Sequence, residues 1–127
     1  GLERFPSLQS NMEKAILLYQ VGRPREGSEI FRTIRGQLAS LRADGAAVVL
    51  EVPERLRILR HPGHLEPLVC HGIVVDKGRR KPWVSLRDLK NEEMPLSTEA
   101  FGFRFGQHIN CEVSFGPNGP QARPARG

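Results

Sequence analysis

The sequence predicts an α+β protein: an N-terminal helical hairpin, residues 1–45, followed by a small β-rich unit, residues 46–122. Three observations carry that expectation. Apolar residues in the first third recur at helical spacing, later ones gather in short β-branched or aromatic runs, and Pro/Gly turn signals separate those runs.

The first predicted helix is "SNMEKAILLYQ". Ser10 followed by Glu13 has the form of a capping box, and Met12, Ala15, Ile16 and Tyr19 repeat on one face until Gly22 and Pro24 close it. The second runs from Ser28 to Ala43, with Ile30, Phe31, Ile34, Leu38 and Leu41 in one stripe and Asp44-Gly45 at its end. Arg32, Arg35 and Arg42 lie off that stripe. A helix-turn-helix DNA reader would show two such helices, but "VGRPREG" is long for its turn. A helical hairpin packed on a sheet accounts for the same pattern.

From residue 46 the expected strands are "AAVVLEV", "LRIL", "LVCHGIVV", "KPWVSL", "AFGFRF" and "HINCEVSF". Pro53, Pro62, Pro67, Pro82 and Pro95 fall at their boundaries, where a missing N–H is tolerated. Many short strands with frequent turns predict a small barrel or sandwich. Residues 123–127 are expected to form a flexible tail.

Composition bounds the function. A hydrophobic fraction of 39% and a charged fraction of 26% allow a modest core and exclude wholesale disorder. No apolar run approaches the ~20 residues that span a bilayer, and no segment has the form of a signal peptide. Two cysteines, Cys70 and Cys111, cannot make a disulfide framework, so an intracellular location, cytoplasmic or nuclear, is expected. Cys70 reads as a small buried hydrophobe. The formal charge is +5, and of 19 basic residues 15 are Arg. Guanidinium binds phosphate in a fork and stacks on flat rings, which suits nucleic acid. A helix surface laced with ion pairs would show the same bias.

The segment from Lys81 onward resembles a cold-shock domain, the small OB-type barrel that binds single-stranded nucleic acid. "GQHINCEVSFGPNGPQARP" is similar to that family's ending, with Gly106, Ile109, Cys111, Val113, Gly116, Pro117, Gly119, Pro120, Gln121 and Ala122 in step. "KPWVSLRDL" is similar to its second nucleic-acid-binding strand: Trp83 stands at the aromatic position, Val84 at the valine, Ser85 at the histidine and Asp88-Leu89 at the closing pair. The resemblance implies a five-stranded OB/cold-shock-like β-barrel. The family's first binding motif, a Lys-Gly-aromatic-Gly-aromatic run, has no clear copy before Trp83, and Asn118 stands where a lysine is usual. Such departures keep the fold and remove part of the stacking platform.

Read without the family, Arg79, Arg80 and Lys81 followed by Trp83 put cations and an aromatic ring within one short stretch. A basic groove with rings on which bases stack is how single strands are held. The competing reading is a core Trp beside a solvated basic turn. Strand alternation favours stacking, since Val84 and Leu86 face inward only if Trp83 and Ser85 face out. Phe101, Phe103 and Phe105 also alternate, and three rings on one strand face predict core. Were they exposed instead, Phe103 and Arg104 would extend the binding surface.

A zinc site from His61, His64, His108 and Cys111 is conceivable, but the paired Cys-x-x-Cys knuckle is missing and alternation points His108 and Cys111 to opposite faces. Neither a nucleophile elbow nor a phosphate-binding loop occurs, and Glu92-Glu93 reads as a solvated acidic turn. The expectation is a non-enzyme without cofactor or metal. Its partner is single-stranded RNA or DNA, held by Arg79, Arg80, Lys81, Arg87 and Arg104 with Trp83 stacking and Ser85 beside it. The alternative is a protein-interaction or scaffolding domain that docks a partner through the helical hairpin, or an accessory domain of a larger helicase or nuclease.

Overall fold

In the computed structural model, which describes residues 5–97 and 102–125, Pro6 and Pro24 each open a helix: α1 spans Pro6–Gln20 and α2 spans Pro24–Ala43. Proline fits the first helical position because the N–H it lacks would have no partner there. Both helices therefore begin earlier than expected. Ser10 lies inside α1, and Phe5 precedes the helix without a side-chain cap, so the predicted capping box does not form. The linker shrinks to Val21–Arg23, which removes the length argument against a helix-turn-helix. The helices pack closely at Gly27, where a Cβ would stand 2.6 Å from the Ala15 carbonyl oxygen and 2.8 Å from the Tyr19 ring.

Five antiparallel strands follow: β1 (Cys70–Val75), β2 (Trp83–Leu86), β3 (Glu92–Pro95), β4 (His108–Gly116) and β5 (Gly119–Pro124). Their spatial order is β3-β2-β1-β4-β5, so three hairpin-linked strands are followed by a fourth that returns to the side of the first, a Greek key. Beyond β3, Leu96 meets Ala122 of β5 in a parallel bridge, and the Ser97 N–H donates to the Ala122 carbonyl at 2.8 Å. That contact draws the edges of the sheet toward each other and curls it into a half-barrel. Cys70, Val74, Val84, Leu86, Met94, Cys111, Val113 and Ala122 fill its concave side. The same core takes Met12, Ile16 and Tyr19 from α1 and Phe31, Ile34 and Leu38 from α2. Phe31 and Phe115 stack with ring centroids 6.4 Å apart, joining α2 to β4.

Several expected strands form differently. Residues 46–52 form no strand beyond a single bridge residue at Val48, and "LRIL" makes only isolated bridges, Ile58 with Ser114 and Arg60 with Pro67. Side chains of α1 stand in for ladder partners at Glu51 and Arg60. Gln9 donates to the Glu51 carbonyl at 2.6 Å and accepts the Glu51 N–H at 3.2 Å, and Gln20 treats Arg60 the same way at 2.6 and 3.3 Å. "AFGFRF" is not a strand over 102–105, and Phe101 lies outside the described residues. Glu92–Pro95, read as an acidic turn, is β3. Residues 123–124, expected in a loose tail, complete β5, where Arg123 pairs with Glu112 at 3.2 Å. Residues 126–127 lie outside the described residues.

Candidate nucleic-acid interface

The turn between β1 and β2 carries the predicted cations. Gly78 donates its N–H to Asp76 Oδ1 at 2.8 Å, so the aspartate closes the turn, and Gly78 takes the positive φ of 65° that this bend requires. Lys77 Nζ lies 2.7 Å from Glu93 Oε1 and ties the turn to β3. Arg79, Arg80 and Lys81 sit on the anchored turn. Among the described residues none of the three is in an ion pair.

Trp83 begins β2, in register with Val75 on one side and Pro95 on the other. It is half-buried, while Val84 and Leu86 have no exposed surface, so the alternation has the expected sense. The Arg79 guanidinium carbon lies 5.4 Å from the centroid of the Trp83 ring, a cation–π contact that holds cation and ring together. Ser85 shares the outward face, between Ile73 and Glu93, and its hydroxyl donates to the Asn91 carbonyl at 3.3 Å.

Lys77, Arg79, Arg80, Lys81 and Trp83 form one side of a groove of about 970 Å³, and the predicted Ser85 does not line it. Its floor is β3, its far end is the β4–β5 turn at Pro117-Asn118, and its opposite side is α2 through Arg32 and Arg35. Arg35 Nη1 donates to the Asn118 carbonyl at 3.0 Å across a separation of 83 residues. Asn118 is the corner where the cold-shock resemblance expects a lysine, and the α2 guanidinium stands beside it. Arg32, Arg35, Lys77, Arg79, Arg80 and Lys81 thus border one groove with Glu92 and Glu93, and Lys77 neutralises Glu93. The arrangement can hold a polyanion beside an aromatic ring.

The remaining sequence candidates stand apart from this groove. Arg87 is exposed in the 3-10 turn after β2, next to Asp88, whose Oδ2 accepts the His71 N–H at 2.6 Å. Phe103 packs against the core, as three rings on one face predict, and so does not extend the binding surface as the exposed alternative would have it, whereas Phe105 is exposed. Arg104 is exposed in the turn before β4, its N–H donating to Gln107 Oε1 at 3.0 Å. Lys77, Arg32 and Arg35 were not selected from the sequence. The three-residue spacing of Arg32 and Arg35, off the apolar stripe, puts them on one helix face, but only packing decides what that face opposes.

Of the histidines and cysteines, His108 is exposed and Cys111 buried, as alternation requires. His71 Nε2 and His108 Nδ1 are 3.0 Å apart across β1 and β4. Among the described residues no group of three or more His, Cys, Asp or Glu is placed to hold a metal ion. Burial pushes the Cys70 thiol up to about 12 and the Cys111 thiol up to about 11, which leaves both in the unreactive thiol form. Burial likewise raises the Tyr19 hydroxyl to about 12, against a smaller lowering by its hydrogen bond with Ser28.

Among the described residues no helix is long and apolar enough to cross a membrane. In comparisons with protein-family models, curated proteins and solved structures, nothing matches this chain.

Proposed function

We propose that this chain is a non-catalytic nucleic-acid-binding module that takes single-stranded RNA, or DNA, into the groove beside β2 and β3. The observation that carries the reading is the convergence of Arg79, Arg80, Lys81 and Trp83 on one groove. Phosphates would go to the guanidinium and ammonium groups and a base to the Trp83 ring, with Arg79 leaving the ring for the backbone.

The topology supports the same reading as a divergent OB-type, cold-shock-like barrel. Barrels of that type take oligonucleotides on the face of their second and third strands and on the loops joining strands one to two and four to five. Here those places are β2 and β3, residues 76–82, and Pro117-Asn118, which all border the groove. The packing of Phe103 into the core narrows the stacking platform to Trp83.

Trp83 is the one tryptophan, so its fluorescence reports on the site. Titration with RNA and DNA of about ten nucleotides, within the ~4–16 that an OB-type fold covers, is expected to quench it. The affinity is expected to fall steeply with salt, because each neutralised phosphate releases counterions. Absence of binding at low salt overturns the reading and leaves the protein-interaction alternative.

A further inference from the structure

The helical hairpin is the part of this chain that a small barrel does not need in order to hold an oligonucleotide. One face of α2 is committed to the core through Phe31, Ile34 and Leu38. The adjoining face carries Arg32 and Arg35, both exposed and both on the groove opposite the basic turn. Arg35 is fixed by its bond to the Asn118 carbonyl. Among the described residues Arg32 is in no ion pair, so its guanidinium is available to a ligand. The acidic side chains on the groove both come from β3: Glu93 is paired with Lys77, and Glu92 lies at the floor.

We infer that α2 is the second wall of the nucleic-acid site: an oligonucleotide runs between α2 and the β1–β2 turn, with phosphates held by Arg32 and Arg35 on one side and by Arg79, Arg80 and Lys81 on the other. The inference rests on the nucleic-acid reading of the groove and adds a role for the hairpin. Guanidinium suits this position because its planar fork binds phosphate oxygens in pairs. A two-walled groove also explains why Asn118 is tolerated at the β4–β5 corner. The cation that the turn lacks is delivered from the helix.

The test uses the whole chain and the same oligonucleotides, titrated at about 50 and about 200 mM salt. Arg32→Ala/Arg35→Ala is compared with Arg25→Ala/Arg42→Ala, an equal loss of charge at exposed α2 positions that do not border the groove. Single-strand binding loses about 0.7 of log–log salt slope per phosphate contact, so the groove pair is expected to flatten the slope by about 1.4 and to weaken binding by tens-fold at about 50 mM. The control pair is expected to act only through the diffuse field, with little change of slope.

Because Arg35→Ala also removes a contact to the β4–β5 turn, Arg32→Ala alone provides a second reading. It is expected to flatten the slope by about 0.7 with the thermal midpoint unchanged. Equal slopes for the groove and control pairs, with the parent binding and Arg79→Ala/Arg80→Ala weakened, overturn the two-walled site and leave the one-walled reading standing. A parent chain that does not bind removes both.

Discussion

In β2, Trp83 stands between Val75 and Pro95 on a sheet whose other face is core; in the stretch before β4, Phe105 is 64% exposed on a turn. Both rings come from segments in which large and small residues alternate, and both have arginine nearby. The difference lies in what each backbone meets. β2 has β1 on one side and β3 on the other, so its alternation is converted into an inner and an outer face. The 102–107 stretch is bracketed by Gly102 and Gly106 at φ of 85° and 86°, a region outside the strand range. Instead of pairing along its length, it caps β1: the Gly106 N–H donates to the Val74 carbonyl at 2.7 Å, and the Val74 N–H to the Gln107 carbonyl at 2.9 Å. Alternation marks a strand only where a partner edge exists and the backbone can extend.

The contrast can be broken at its strongest point first. Leu86→Ala, at a position with 0% exposure, is expected to cost about 2–5 kcal/mol in a denaturant melt, since the cavity lies at the centre of the sheet. A loss below about 1 kcal/mol would show that the inner face of β2 is not core. Next, Trp83→Ala is expected to weaken oligonucleotide binding by about 1–3 kcal/mol, read by a labelled probe, while Phe105→Ala stays within about 0.5 kcal/mol in both affinity and stability. Equal effects at the two rings would move the stacking surface off β2. Third, Gly106→Ala is expected to cost about 1–2 kcal/mol of stability through its left-handed backbone, with affinity unchanged. A neutral Gly106→Ala would mean that the turn relaxes and that the cap on β1 is dispensable.

Much of the fold was legible from local pattern. Met12, Ala15, Ile16 and Tyr19 on one helix, and Phe31, Ile34 and Leu38 on the other, lie on the buried faces that their spacing indicates. The burial of Val84 and Leu86 against the outward Trp83 and Ser85 followed from alternation alone. The helices start ahead of the capping pattern at Ser10 and the serine at 28 because Pro6 and Pro24 at the first turn outweigh those signals. Residues 46–52 have strand composition, yet only Val48 forms a bridge and at Glu51 the Gln9 side chain supplies the bonds that a neighbouring strand would supply; no local rule foresees a partner 42 residues away. β3 has a weak sequence signal because only Met94 of Glu92–Pro95 faces the core, too little to distinguish the segment from an acidic turn.

The sequence by itself determined the two amphipathic helices, the strands at Cys70–Val75, Trp83–Leu86 and His108–Gly116, and the basic cluster beside Trp83, because periodicity and turn chemistry act between near neighbours. Tertiary structure alone decided that Arg32 and Arg35 face that cluster, that Arg35 reaches Asn118, and that Phe103 is drawn inward while Phe105 is left out. Those placements depend on how α2 packs against β4 and on where the sheet curls, contacts between residues far apart in the chain that no local periodicity encodes.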